Sequence, residues 1–324
     1  MVAGRTVRGR AVTRVAAIDC GTNSIRLLIA DVAARDGALA DVRRWMEIVR
    51  LGQGVDRTGR LHPDALHRTI AVARDYGVWI RAAGASRVRF VATSATRDAA
   101  NRAEFEAGVL AAVGVRPEVI SGDEEAALSF LGASASLGGA GSGPAGGAPT
   151  PYLVVDIGGG STEFIVGTDV AEAARSMDIG CVRLTERHLH GDPPSPAEIA
   201  TARADIGRAL DEVARTVPID TTRTLVGLAG SVTTVAALAL ELPGYDSSRI
   251  HHARISAADV HAITDRLLAM THAERAALGP MHPGRVDVIG AGALILAEIV
   301  DRVGAADVIA SEHDILDGIA RALV

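Results

Sequence analysis

Two short runs of this sequence carry the residue types that phosphate chemistry needs. Asp19-Cys20-Gly21-Thr22-Asn23-Ser24 and Asp156-Ile157-Gly158-Gly159-Gly160-Ser161 both read Asp-x-Gly-x-x-Ser. A glycine turn leaves backbone N–H groups able to converge on an anion, glycine lets the main chain come close, and hydroxyls add donors. Gly21, Thr22, Asn23 and Ser24 on one loop, and Gly158, Gly159, Gly160 and Ser161 on the other, are therefore candidate phosphate ligands. One such loop alone would as readily be a plain hairpin. Two copies with Asp at the same offset are harder to explain as turns. Asp19 and Asp156 each close an apolar run, where a lone carboxylate is costly. A hard cation such as Mg2+, with Mn2+ as an alternative, would neutralise both the acid and a neighbouring phosphate. That makes Asp19, Asp156 and, beyond the second turn, Glu163 candidate metal ligands; the competing reading is that each Asp caps its own turn.

Other groups could complete a reaction. Arg97 follows the apolar run Val88-Arg89-Phe90-Val91-Ala92, and the end of such a strand is where an α/β sheet presents ligand contacts. Its guanidinium could hold a phosphoryl group through two hydrogen bonds. Glu124 and Glu125 lie in the first turn of a helix opened by Ser121-Gly122-Asp123. Acids there suit the helix dipole, but either could instead activate a water, and the residues alone do not choose between them. The histidines lack zinc-ligand spacing and suggest no Ser-His-Asp triad, so surface or loop roles are expected.

Positioning these residues requires alternating strands and helices. Helices are expected over 62–83, 101–113 and 124–131 in the first half, with strands at 88–92 and 118–120. In the second half, helices are expected over 195–216, 257–270, 287–303 and 314–323, with strands at 224–229 and 308–310. The repeat of the Asp-x-Gly run so far along the chain points to two domains of related fold. The expected division is 15–132, then a flexible Gly/Ala/Ser-rich loop at 133–151, then 152–310, with about 311–324 packing back on the first domain. Residues 1–14, with Arg5, Arg8, Arg10 and Arg14, read as a disordered basic tail with no signal-peptide run behind it.

Composition narrows the partners. At 324 residues and 48% hydrophobic, the chain can build two cores. The net charge is −6 and the 33 basic residues are all arginine, a poor profile for general nucleic-acid binding. No run approaches the roughly 18 apolar residues that span a bilayer, so no membrane role is expected. Cys20 and Cys181 are far apart in apolar surroundings, which fits a reducing cytoplasm rather than a disulfide.

Taken together, Ile18–Ser24, Ala92–Asp98, Ile120-Ser121-Gly122-Asp123-Glu124-Glu125-Ala126 and Asp156–Glu163 resemble the motifs of the exopolyphosphatase / guanosine pentaphosphate phosphatase family. Gly230-Ser231-Val232-Thr233-Thr234 is similar to a further family segment, and Ile179–Arg187 to the short two-domain actinobacterial members. The resemblance implies an α/β fold of two ribonuclease-H-like domains of the actin-like ATPase superfamily, with a Mg2+-dependent site in the cleft between them. It places the catalytic glutamate on Glu125, the phosphate-gripping arginine on Arg97 and acidic metal-site residues on Asp156 and Glu163. The implied reaction is attack of water on the terminal phosphorus of inorganic polyphosphate. Guanosine pentaphosphate is the rival substrate; a nucleotide-dependent kinase and a non-catalytic polyphosphate or alarmone sensor are the rival classes. A homodimer is expected from the family alone. Two departures stand out: the sequence stops at Val324 without the further helical domains of long members, which suggests short chains as substrate, and Leu316 occupies a position where many members carry Arg.

Overall fold

A computed structural model of the protein describes residues 5–7, 10–34, 37–137 and 147–324. The chain divides into two compact units, Met1–Gly132 with Ile315–Val324, and Ala133–Asp314.

The first unit holds strands β1 (Arg5–Val7), β2 (Arg10–Cys20), β3 (Ser24–Ala33), β4 (Leu39–Ile48), β5 (Arg87–Ala92) and β6 (Glu118–Val119). They lie in the order β4-β3-β2-β5-β6, with β1 paired to the start of β2. The first three long strands form an antiparallel meander, and β5 and β6 then continue the sheet in parallel with β2. The middle of β2 reads Val15-Ala16-Ala17-Ile18 without polar alternation because both faces are covered. Ala16 and Ile18 pack with Tyr76, Phe105 and Val109 of the helices Pro63–Ala83 and Arg102–Val113. Val15 and Ala17 pack with Leu128, Ile315, Leu316 and Ile319 of the helices Gly122–Ser134 and Ile315–Arg321. Leu316, at the position of the family's Arg, is a core residue here, 1% exposed.

An ion pair fastens the C-terminal helix to the sheet. Arg44 Nη2 and Nη1 donate to the two oxygens of Asp317 at 2.6 and 3.1 Å. Desolvation pulls the Arg44 guanidinium down, but Asp317 and then Asp41 outweigh it and hold it above its ordinary pKa. The Asp317 side chain is 1% exposed and that of Arg44 32%. Asp317→Ala should therefore destabilise the protein by about 2 kcal/mol, less than a fully buried broken pair because water still reaches Arg44. The check is the urea midpoint, where an unchanged value would mean that the pair contributes nothing.

The expected N-terminal tail needs correction. Residues 10–14 are the first part of β2, with Val12 opposite Ala33 and Arg14 opposite Asp31. Arg14 Nε and Nη2 each donate at 2.7 Å to one oxygen of Asp31, which is buried. Charge suggested a solvated tail, whereas the β-branched and small residues between the arginines decide for a strand once a buried acid pairs with Arg14. Residues 1–4 and 8–9 of that stretch lie outside the described residues, as do 138–146 of the expected loop at 133–151.

The second unit repeats the plan with β7 (Tyr152–Ile157), β8 (Thr162–Gly167), β9 (Ala171–Met177), β10 (Thr224–Leu228), β11 (Arg254–Ser256) and β12 (Asp307–Ala310), in the order β11-β12-β10-β7-β8-β9. Again three antiparallel strands are followed by two parallel ones, the ribonuclease-H-like order, with β11 added antiparallel at the edge. The helix Ile289–Val303 is buried over most of its length in this unit's core. Among the described residues no helix is long and apolar enough to cross a membrane.

Candidate active site

In both units the Asp-x-Gly run forms the hairpin between the first two strands. The last register pairs are Cys20 with Ile25 and Ile157 with Thr162, which leaves four-residue loops. Each loop closes in the same way, Gly21 N donating to Ser24 O at 2.9 Å and Gly158 N to Ser161 O at 3.0 Å.

In the first unit, the segment Val49–Gly52 holds the loop from one side. Val49 N and Arg50 N donate to the Asn23 carbonyl at 3.0 and 2.9 Å, and Gly52 N to the Thr22 carbonyl at 2.8 Å. In a planar trans peptide the N–H points opposite to the preceding C=O, so the Asn23 N–H faces away from that segment. Position 52 must be glycine for this approach, since a Cβ there would lie 2.2 Å from Thr22 Cγ2. Thr22 is 7% exposed, and its Oγ1 is buried without a hydrogen-bond partner among the described residues.

Asp19 is not the bare carboxylate its sequence position suggested. Its register partner is Arg26, whose Nε and Nη2 donate to Asp19 Oδ2 at 3.0 and 2.6 Å. The guanidinium offsets the charge of Asp19.

Beside this loop, β5 ends in a short helix, Ser94–Arg97, and β6 leads through Ile120 into the helix carrying Glu125. Arg97 and Glu125 meet: Arg97 Nη1 donates to Glu125 Oε2 at 3.2 Å and to the Ile120 carbonyl at 2.9 Å. Glu125 is buried, while Arg97 Nε and Nη2 make no hydrogen bond among the described residues. Glu124 instead takes Arg89 Nη2 at 2.6 Å on a half-exposed surface. These contacts place the two acids of the pair in different surroundings.

In the second unit, Asp156 and Glu163 are register partners across β7 and β8, both buried. Glu163 Oε1 accepts from Ser161 Oγ and Ser176 Oγ, each at 2.7 Å. The equivalent offsets in the two hairpins thus carry an acid facing a base in one and an acid facing an acid in the other. Like charges on opposed strand positions repel, and a cation or a shared proton is one way to relieve that. Among the described residues no group of three acidic, His or Cys side chains has metal-site geometry.

The carbonyls of the Gly-rich loop are held by the helix Cys181–His188. Cys181 N donates to Gly158 O, Val182 N and Arg183 N to Gly159 O, and Arg183 Nε to Gly160 O, all within 2.7–3.1 Å. Gly180 permits this packing, because a Cβ there would sit 2.3 Å from the Gly159 carbonyl oxygen. Another arginine stands close by within the unit: Arg285 Nη1 donates to Thr234 Oγ1 at 3.3 Å, and a Cβ on Gly230 would meet its guanidinium carbon at 2.4 Å. Its guanidinium lies 5.9 Å from the Tyr245 ring, whose hydroxyl donates to Glu312 Oε1 at 2.6 Å. Burial first and then Glu312 push the Tyr245 hydroxyl well above its ordinary pKa, so it stays a donor.

Sequence reasoning missed Arg26, Arg183 and Arg285. The first could have been found by comparing the residue seven beyond each Asp; the other two are hidden in an arginine-rich chain. The histidine expectation also needs revision, for the rings of His251 and His252 stack at 3.7 Å, His313 lies 4.3 Å from His251, and His252 is buried.

Comparison with known proteins identifies the family. Residues 28–321 match the profile of the Ppx/GppA phosphatase family. The chain is 52% identical to Exopolyphosphatase 2 of Mycobacterium tuberculosis, over 97% of this chain and 99% of that protein. It superposes on a crystal structure of an exopolyphosphatase-like protein with a TM-score of 0.90 and 44% identity, covering 96% of this chain and 97% of the other. A crystal structure of the Aquifex aeolicus Ppx/GppA family member gives a TM-score of 0.79 at 31% identity, covering 96% and 97%.

Proposed function

We propose, from the premise that this chain belongs to the Ppx/GppA phosphatase family, that it is an exopolyphosphatase releasing orthophosphate from the end of inorganic polyphosphate. The observation that carries this reading is the Arg97–Glu125 pair: a buried carboxylate beside a guanidinium that keeps two donor positions to spare. Glu125 would take a proton from water as the water oxygen bonds to the terminal phosphorus. The bridging P–O bond then breaks, leaving the polyphosphate one unit shorter with its new terminal oxygen anionic. Arg97, through Nε and Nη2, would hold non-bridging oxygens of the phosphoryl group as charge builds on them. The N–H groups and hydroxyls of Gly21, Thr22, Asn23 and Ser24, and of Gly158, Gly159, Gly160 and Ser161, would bind the remaining phosphates. Asp156 and Glu163 would hold Mg2+, or Mn2+ in its place, and the cation would supply charge neutralisation at the phosphate oxygens. Asp19 acts here through Arg26, as a structural partner to the loop rather than as a ligand.

The test is release of free phosphate from tripolyphosphate with Mg2+, with and without excess EDTA. Release that EDTA abolishes is the expected result; no release, or release indifferent to EDTA, counts against the reading. Guanosine pentaphosphate is the second substrate to try. Tyr245, 42% exposed beside Arg285, is an aromatic face that a base could meet, whereas the four phenylalanines are buried. Faster hydrolysis of guanosine pentaphosphate than of tripolyphosphate would reverse the order of the two. The buried free thiols of Cys20 and Cys181 suit a reducing cytoplasm, and family membership makes a homodimer the state to look for by sedimentation.

A further inference from the structure

The first N–H groups of a helix have no acceptor inside it, and where they go is informative. In the helix Cys181–His188 they go to the Gly-rich loop: Cys181 N to the Gly158 carbonyl at 3.0 Å, then Val182 N and Arg183 N to the Gly159 carbonyl at 2.9 and 3.1 Å. The helix end is therefore occupied by loop carbonyls and is not itself the place for a phosphate. The third carbonyl of the series, that of Gly160, is beyond the main-chain donors. A side chain takes it instead, Arg183 Nε donating at 2.7 Å.

Three consecutive carbonyls held from one side turn the following N–H groups, those of Gly159, Gly160 and Ser161, to the other. Such a row of N–H groups is what binds phosphate oxygens. For the first two the orientation is fixed by backbone bonds. For the Gly160–Ser161 peptide it depends on Arg183, because glycine can turn to either sign of φ at little steric cost. The Arg183 side chain is 9% exposed and lies 3.6 Å from Asp178. Its charge is thus set behind the loop rather than offered to solvent.

We infer that Arg183 is a positioning residue for phosphate transfer: without touching the phosphate, it orients the Ser161 N–H by holding the Gly160 carbonyl. The same Ser161 bonds Glu163 through its hydroxyl, so the clamp also steadies one of the two facing acids. The inference rests on the reading of this loop as a phosphate site.

Arg183→Ala and Arg183→Lys in the full chain, assayed on tripolyphosphate with Mg2+, test it. Losing one preorganised donor to developing negative charge lowers kcat more than it weakens ground-state binding. The expected result for Arg183→Ala is kcat down about 10- to 100-fold with KM changed by less than about threefold. Added guanidinium, which fits the vacated space and can donate to the Gly160 carbonyl, should restore part of the lost rate, while methylammonium should not. Lysine lacks the planar fork and should recover only part of the rate. A kcat within about twofold of wild type in both variants overturns the inference, as does a loss that guanidinium leaves unchanged in a variant that still unfolds cooperatively. If Arg183→Ala does not fold, Arg183→Lys decides: a kcat loss beyond about fivefold sustains the inference and a smaller one overturns it. Wild-type protein that releases no phosphate would remove the functional reading, and this inference with it, before any variant is compared.

Discussion

Glu125→Gln should lower kcat for phosphate release from tripolyphosphate by about 1,000-fold while the protein keeps its fold, within the 10²–10⁴ range that a general base supplies. The substitution preserves shape and hydrogen-bonding reach, and it leaves Arg97 bonded to the Ile120 carbonyl. What it removes is the basic oxygen that now lies 3.2 Å from Arg97 Nη1. Glu124→Gln is the internal control. That acid faces Arg89 on a half-exposed surface, so its kcat should stay within about threefold of wild type, as exposed ion pairs contribute little. Arg97→Met should also be severe, and the double variant should be no worse than the worse single one, because residues that act as a unit are not additive. Steady-state kinetics on wild type and the four variants measures all of this. Equal losses in Glu124→Gln and Glu125→Gln would mean that the helix start, and not one carboxylate, is what the reaction needs.

How much of this could be read beforehand varies with the kind of interaction. The two Asp-x-Gly hairpins were legible because their chemistry is local: acid, glycine and serine sit within six residues, and backbone geometry does the rest. The buried strands at 87–92 and 224–228 and the helices after them were legible for a similar reason, since a sheet covered on both faces writes a continuous apolar run. The strand at Leu39–Ile48 was not, because its exposed residues mask the alternation that marks an edge strand. Partners distant in sequence were hidden in the same way. Nothing near Arg183 announces that its Nε will meet Gly160, and nothing near Arg14 announces Asp31. With no lysine in the chain, every cation is an arginine and residue type carries no information about role. Leu316 shows the opposite case, a departure from the family pattern that structure turns into a plain packing residue.

The facing acids of the second unit yield the sharpest contrast. Asp156→Asn should abolish metal-dependent activity, by at least about 100-fold, because Mg2+ held through one or two carboxylates cannot lose one cheaply. In EDTA the same variant should be as stable as wild type or up to about 1 kcal/mol more stable, since one of two like charges on opposed strand positions is gone. Adding Mg2+ should raise the wild-type melting temperature through preferential binding to the folded state, and leave that of Asp156→Asn nearly unmoved. Asp19→Asn should behave in the reverse manner. Arg26 would lose the carboxylate that now takes two of its donors, and with only 20% of its side chain exposed it could not be fully rehydrated. The expected cost is about 2 kcal/mol with or without metal, because what is lost is the ion pair with Arg26 itself. Thermal unfolding of the three proteins in EDTA and in Mg2+ separates the two hairpins by sign as well as by size. A Mg2+-dependent shift that survives in Asp156→Asn but disappears in Asp19→Asn would move the metal to the first unit and reverse the roles assigned to the two loops.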